Sequence, residues 1–384
     1  MTYDIIKPFP GESEESFAKR KAYFIRNLKP RFNFCVLNLE RKLHNAIPIT
    51  AQEREEIDAF WIEFMTQDMI SCLIDYRYYD MYNNARPKDA SIYQYIPDSF
   101  YQPFVDEYFT NPQDSRPCDD KNLYDLYFHD INRPQTVFRK IKSLLLDGDY
   151  RELSLKDVID KCRGCGEVVL KPAKFTAGGN GVMFWNADKD DVSVISEYLQ
   201  NTEFVICQKI IKQHPELNRL SSSSVNSIRM MTMVFDNQTF LLSSVLRMGT
   251  NAARIDNFTS GGIASGIKPN GQLRNIAFDV CANKYHQHPL GTVFEQVIIP
   301  NFTECVEIVK MLAKRFSTLS RLISWDLAID EMGHPLLIEF NASWAGVDVH
   351  QLCNGPIFGD MTHDVLKEVF DKSYTLNSVI KSFQ

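Results

Sequence analysis

No stretch of this chain is apolar for long enough to span a bilayer. Its opening residues, MTYDIIKPFPGESEES, lack an apolar core of signal-peptide length. Basic charge is scarce: 42 Lys and Arg stand against 49 Asp and Glu, a net charge of −7. That balance argues against non-specific nucleic-acid binding through global charge. The nine cysteines follow no regular framework and suit a reducing cytoplasm. Cys162 and Cys165 form a lone Cys-x-x-Cys with no second pair at zinc spacing. His286 and His288 read as a satisfied or solvent-facing pair. There is no internal repeat, no P-loop and no dinucleotide-binding fingerprint.

What is present is an ordinary globular composition, 44% hydrophobic and 24% charged, over 384 residues. That length predicts two or three lobes. Residues 12 to about 85 read as helical, with Ser13 as a capping residue and apolar residues at helical spacing from Thr50 to Tyr79. The aromatic stretch IYQYIPDSFYQPFVDEYF reads as core or interface. The polar, proline-marked segment 110–120 reads as a linker. Beyond it, short apolar runs alternate with Gly and Asn turns, and helical patterns intervene near 191–200 and 303–316. The expected class is α+β. A helical region covers residues 1–112, a first α+β unit 113–206 and a second 207–384.

Polar groups sit in three places where plain strands have no need of them. In ISWDLAIDEMGHPLLIEFN, residues 323–341, a loop at 331–334 pairs Asp330 with Pro335 and so sets Asp326 opposite Glu339. Asn341 shares the face of Glu339. A loop one residue longer or shorter would move the pair. Facing carboxylates repel, and a hard cation with oxygen ligands would reverse that. A solvated polar face is the competing reading. In EVVLKPAKFTAGGNGV, residues 167–182, Lys171 ends a strand and Gly178, Gly179 and Gly181 follow. Glycine lets backbone N–H groups approach phosphate, and the lysine adds charge there; a hairpin that merely needs glycine is the alternative. In VNSIRMMTMVFDNQTFLLSSVLRMG, a three-residue turn Asp236–Gln238 puts Arg229 opposite Val245 and Arg247 on the same face, as an anion clamp. A two-residue turn would separate their faces and leave two surface arginines.

The order of these stretches resembles the ATP-grasp superfamily, and most closely the sugar-transfer-associated ATP-grasp family of bacterial polysaccharide gene clusters. The residues that carry the match are Gln208 through His214-Pro215, Asn226-Ser-Ile-Arg229, Leu246-Arg247, Asp256-Asn257 with Gly261-Gly262, His288-Pro289-Leu-Gly291, Ile299-Pro300, and Trp325-Asp326 with Glu339-Phe-Asn341. The match covers about residues 115–360.

The resemblance implies an ATP-grasp fold in which ATP lies between two α+β subdomains, preceded here by a mainly helical N-terminal lobe. It further implies that Lys121, Lys171, Gly178, Gly179, Gly181 and the segment Gln208, Lys209, Ile210 and Ile211 hold the nucleotide. Asp326, Glu339 and Asn341 would carry two magnesium ions, with manganese an acceptable substitute. Arg229, Arg247 and Asn257 would stabilise the transferred phosphoryl group. The implied reaction is an ATP-dependent ligation of a small carboxylate to an amine or sugar-linked acceptor through an acyl-phosphate, in the cytoplasm. The rivals are a kinase acting on a hydroxyl and a non-catalytic nucleotide-binding module. Many members of the superfamily open with an α/β domain, so the helical start leaves the substrate pocket unassigned.

Overall fold

The computed structural model describes residues 7–8, 11–110, 115–174, 179–250, 254, 256, 258 and 261–381. The N-terminal region is helical, as its apolar spacing predicts. Ser13 caps the first helix, Glu14–Tyr23, by accepting from the Ser16 N–H at 3.2 Å. Lys29–Lys42 follows, with Pro30 in its first turn, where a missing N–H costs no helical bond. The pattern from Thr50 to Tyr79 is three shorter helices, Ala51–Ile62, Gln67–Leu73 and Arg77–Asn83, the first closed by a Thr50–Glu53 capping box. Among the described residues no helix is long and apolar enough to cross a membrane.

Two antiparallel sheets follow. The smaller comprises β1 (Thr136–Ile141), β2 (Leu144–Leu146), β3 (Glu167–Pro172), β4 (Met183–Asn186) and β5 (Phe204–Lys209), in the order β2-β1-β5-β3-β4. Helices Leu155–Cys165 and Val192–Asn201 cover it, burying Val158, Ile195 and Leu199 against Phe138, Leu170 and Trp185. The larger comprises β6 (Ile228–Phe235), β7 (Gln238–Met248), β8 (Ile263–Ile267), β9 (Leu273–Asp279), β10 (Lys284–Tyr285), β11 (Leu322–Ile329) and β12 (Pro335–Asn341). Its order is β10-β9-β8-β7-β6-β11-β12.

Alternation along these strands decides what each face meets. Met230, Leu246 and Trp325 point to the helix Phe302–Phe316. Met231, Met233, Val245 and Leu322 point the other way, into one core shared with the N-terminal helices and with the C-terminal helices Asp348–Asn354, Thr362–Lys372 and Tyr374–Ile380. Arg229, Arg247 and Asp326 occupy this second face, so the helical region is packed beside them. On the opposite face Trp325 anchors the same strands: it is fully buried, stacks on Phe340 at 4.8 Å, and donates to Thr232 Oγ1 at 2.8 Å. An aromatic ring so buried contributes on the order of 4–6 kcal/mol by area.

Candidate functional site: a cleft between the two sheets

Asp326 of β11 lies directly across from Glu339 of β12 on one side and from Arg229 of β6 on the other. Arg229 also faces Val245, so Arg247 falls on its face of the sheet. Both pairings match the sequence expectation, but both turns differ from it. The β6–β7 turn has two residues, Asp236 and Asn237, each at positive φ, because Phe235 pairs with Gln238. A bulge at Leu242, between the Met231–Ser243 and Thr232–Leu241 pairs, then restores the register. Likewise Ile329, not Asp330, pairs with Pro335, and a bulge at Ile338 brings Asp326 back opposite Glu339. Bulges re-aim side chains next to functional sites.

The protein's own cations balance these carboxylates, where the sequence reading assigned that part to a bound cation. Arg229 donates Nε to Asp326 Oδ1 and Nη2 to Oδ2, both at 2.8 Å. Arg247 Nη2 reaches the same Oδ2 at 3.0 Å. Burial opposes charge on Asp326, but the two guanidiniums outweigh it and hold the carboxyl below its ordinary range. Burial likewise opposes the charge on Arg229, and Asp326 reverses that and raises it. Arg247 also donates to Ser227 Oγ at 2.7 Å from Nη2, and the Ser227 N–H donates to Asp256 at 2.9 Å. Ser227 and Asp256 therefore orient the second arginine. Asn226, next to them, ties its loop together by donating to Gln213 Oε1 and to the Leu217 and Ser221 carbonyls.

Glu339 accepts from Lys121 Nζ at 2.7 Å. Lys121 is placed by its neighbours: its N–H donates to the Ala173 carbonyl at 3.0 Å, and the buried Arg139 anchors the following residues through Asn122 and Asp125. Tyr124 fixes the outer edge of β12, donating to the Phe340 carbonyl at 3.1 Å and accepting its N–H at 3.2 Å. Lys171, on β3, donates to Gln208 Oε1 at 3.3 Å. Desolvation pulls its ammonium down, with Glu339 opposing.

Gly179 and Gly181 close the β3–β4 loop at φ +73° and +75°. A Cβ on Gly181 would lie 2.8 Å from Pro172 Cγ, so only glycine fits there. Gly178 and Asn257 lie outside the described residues. Gln208, Lys209, Ile210 and Ile211 leave β5 and cross to the large sheet, which they reach where the His214 N–H donates to the Ile329 carbonyl at 3.0 Å. Arg254 spans the cleft the other way, pairing with Glu167 at 2.9 Å and lying over Phe184. His288 is buried with both ring nitrogens engaged, by the Gly249 carbonyl and the Leu290 N–H, and His286 is exposed.

The described nucleotide, metal and arginine candidates other than Gly181 thus line one cleft of about 1350 Å³. Its donors near β12 are all oxygens: Asp326, Glu339 and the Asn341 amide. Asn341 Nδ2 and the facing Ser324 Oγ are buried without a hydrogen-bond partner among the described residues. Glu339 and Asn341 fit a hard, oxygen-seeking cation. Asp326, with both oxygens held by arginines, fits it less directly. The cleft continues past these strands to the N-terminal helix Lys29–Lys42 and to Trp344. Neither contribution was legible beforehand; an apolar helix face such as Phe34 and Leu37 carries no chemical signature in sequence.

A family model described as sugar-transfer associated ATP-grasp matches residues 109–366. No curated protein matches the chain. Among solved structures, D-alanyl-alanine synthetase A from Vibrio cholerae is 12% identical, with 69% of this chain and 67% of that one covered and a TM-score of 0.43. The biotin carboxylase domain of the Hydrogenobacter thermophilus 2-oxoglutarate carboxylase, in complex with MgADP, ADP and bicarbonate, is 12% identical over 66% of this chain and 46% of that one, at TM-score 0.40. An L-amino acid ligase from Bacillus licheniformis is 13% identical over 67% and 51%, at 0.38. The chain spans about two thirds of the first of these proteins and about half of the other two.

Proposed function

The chain belongs to the sugar-transfer associated ATP-grasp family and has the ATP-grasp fold behind a mainly helical N-terminal region; from that premise we propose that it is an ATP-dependent carboxylate–amine ligase. Its setting would be cytoplasmic, in bacterial surface-polysaccharide or related biosynthesis. The observation that carries this reading is the convergence in one cleft of Lys121 and Lys171, the arginine pair on Asp326, and Glu339 with Asn341.

A carboxylate oxygen attacks the γ-phosphorus, ADP leaves, and an acyl-phosphate forms. An amine then attacks the acyl carbon, and inorganic phosphate leaves as the nitrogen loses its proton. Lys171 and Lys121 neutralise phosphate charge, and the glycines at 179 and 181 admit the backbone close to it. The segment 208–211 would line the adenine. Arg229 and Arg247, preorganised on Asp326, face the position where charge develops on the transferred group. Glu339 and Asn341, with Asp326 beside them, would hold magnesium, which supplies charge neutralisation for the phosphate oxygens when bound. Positioning and electrostatics carry such a reaction.

The test is a screen of small carboxylates for ADP release with magnesium present, using hydroxylamine as the acceptor. ADP with a hydroxamate supports ligation. A phosphorylated alcohol with no hydroxamate would make the protein a kinase.

A further inference from the structure

The helix Lys29–Lys42 turns two faces to two environments. Arg31, Phe32, Cys35, Leu39 and Lys42 are buried in the helical core. Phe34, Leu37, Asn38 and Arg41, at i, i+3, i+4 and i+7, line the cleft instead. Phe34 and Leu37 remain 47% and 65% exposed, an apolar surface the fold leaves uncovered. Opposite stands Trp344, three residues beyond the metal candidate Asn341.

Trp344 is held in an unusual state. Its φ is +59°, in the left-handed region that bulky side chains rarely adopt. The Trp344 N–H donates to Asp106 Oδ2 at 3.2 Å, and Gln102 Nε2 donates to the next carbonyl, Ala345 O, at 3.0 Å. The Arg31 guanidinium, paired with buried Asp106, lies 4.4 Å from the indole centroid. Phe34 meets the indole edge-to-face at 6.2 Å. Such strain persists where the surroundings over-determine it, and it gathers at ligand clamps. The residue is nonetheless 44% exposed.

We infer that this end of the cleft is the second-substrate site, and that the amine acceptor it takes is built on a sugar carrying an acidic group. The inference rests on the proposed ligase reading and names the substrate class for it. A cleft of about 1350 Å³ exceeds the roughly 300–1,000 Å³ of a single small-molecule pocket, leaving room beside a nucleotide. An indole with a phenyl wall suits the apolar face of a pyranose, Asn38 suits its hydroxyl rim, and Arg41 suits an anion. Arg41 makes no ion pair among the described residues. The helical region thus supplies the acceptor wall, in place of an α/β domain.

Trp344 reports on its own site, because Trp61, Trp185 and Trp325 are at most 1% exposed. Acrylamide quenching of tryptophan emission, in saturating Mg-ADP, should be relieved by millimolar glucose 1-phosphate or methyl glucuronide, and far less by neutral methyl glucoside. The two acids separate a phosphate from a carboxylate. Arg41→Gln should weaken that protection roughly tenfold or more while leaving nucleotide binding unchanged. Protection by neither acid, or protection that Arg41→Gln leaves intact, overturns the inference. Absence of Mg-ADP binding would instead overturn the ligase reading.

Discussion

Arg229 and Asp326 face each other across β6 and β11 and meet through two parallel hydrogen bonds, both 2.8 Å. Breaking a buried pair by removing one partner costs about 3–5 kcal/mol. Arg247 stays on Oδ2, so Arg229→Ala should sit at the low end of that range and melt several degrees below wild type. Turnover should fall on the order of a hundredfold or more, since a preorganised charge donor is lost. Arg247→Ala should fall comparably, and the double variant should lose less than the product of the two. Near-normal ADP release from either single variant would remove the shared-clamp role.

Glu339→Gln should abolish ADP release with the fold intact. Because Lys121 already neutralises Glu339, removing the charge should bring no gain in melting temperature in chelator. A clear gain would mean that Asp326 and Glu339 still repel each other without metal.

Gly181→Ala tests the phosphate loop. The positive φ and the 2.8 Å approach to Pro172 Cγ both oppose a methyl group. Mg-ATP affinity should drop at least several-fold in calorimetry, with a melting loss of only a few degrees, because the strain is confined to the β3–β4 hairpin. Unchanged affinity would take this loop out of nucleotide binding.

Asp98, which lines the cleft from the helical region, governs a pH dependence of its own. Burial and the nearby Asp348 carboxylate push it up to about 7. Its unfolded value is near 3.9, so the folded state binds more protons. The stability associated with this group is complete below about pH 4 and is lost as pH rises through 7. Asp98→Asn removes the titration. Its melting temperature relative to wild type should therefore rise between pH 5 and pH 8, and a constant difference would contradict the assignment. Asp326 works in the opposite direction: its lowered value gives stability that is present above about pH 4 and lost in acid.

The strand faces were legible because period-two alternation survives without any knowledge of partners. Asp326 opposite Glu339 and Arg229 opposite Val245 were both read correctly, each from a turn one residue too long or too short. The bulges at Ile338 and Leu242 made up the difference. A bulge has no local signature here, since both residues are ordinary apolar strand formers. Arg229, Arg247 and Lys121 are all named from the sequence, but their pairing with the carboxylates was hidden for another reason. Lys121 comes from a short 3-10 turn and meets Glu339 only through tertiary packing. Trp344 and the Phe34–Arg41 helix face depend wholly on how the N-terminal helices dock against the sheet.

The central claim is that this cleft binds ATP with a divalent cation through these residues. Isothermal titration calorimetry of the intact protein with ATP, with and without magnesium, tests it most directly. The account predicts saturable binding that magnesium strengthens, weakening at least tenfold in Lys171→Ala and losing its magnesium dependence in Glu339→Gln. No heat at millimolar Mg-ATP, or equal binding by all three proteins, would contradict it.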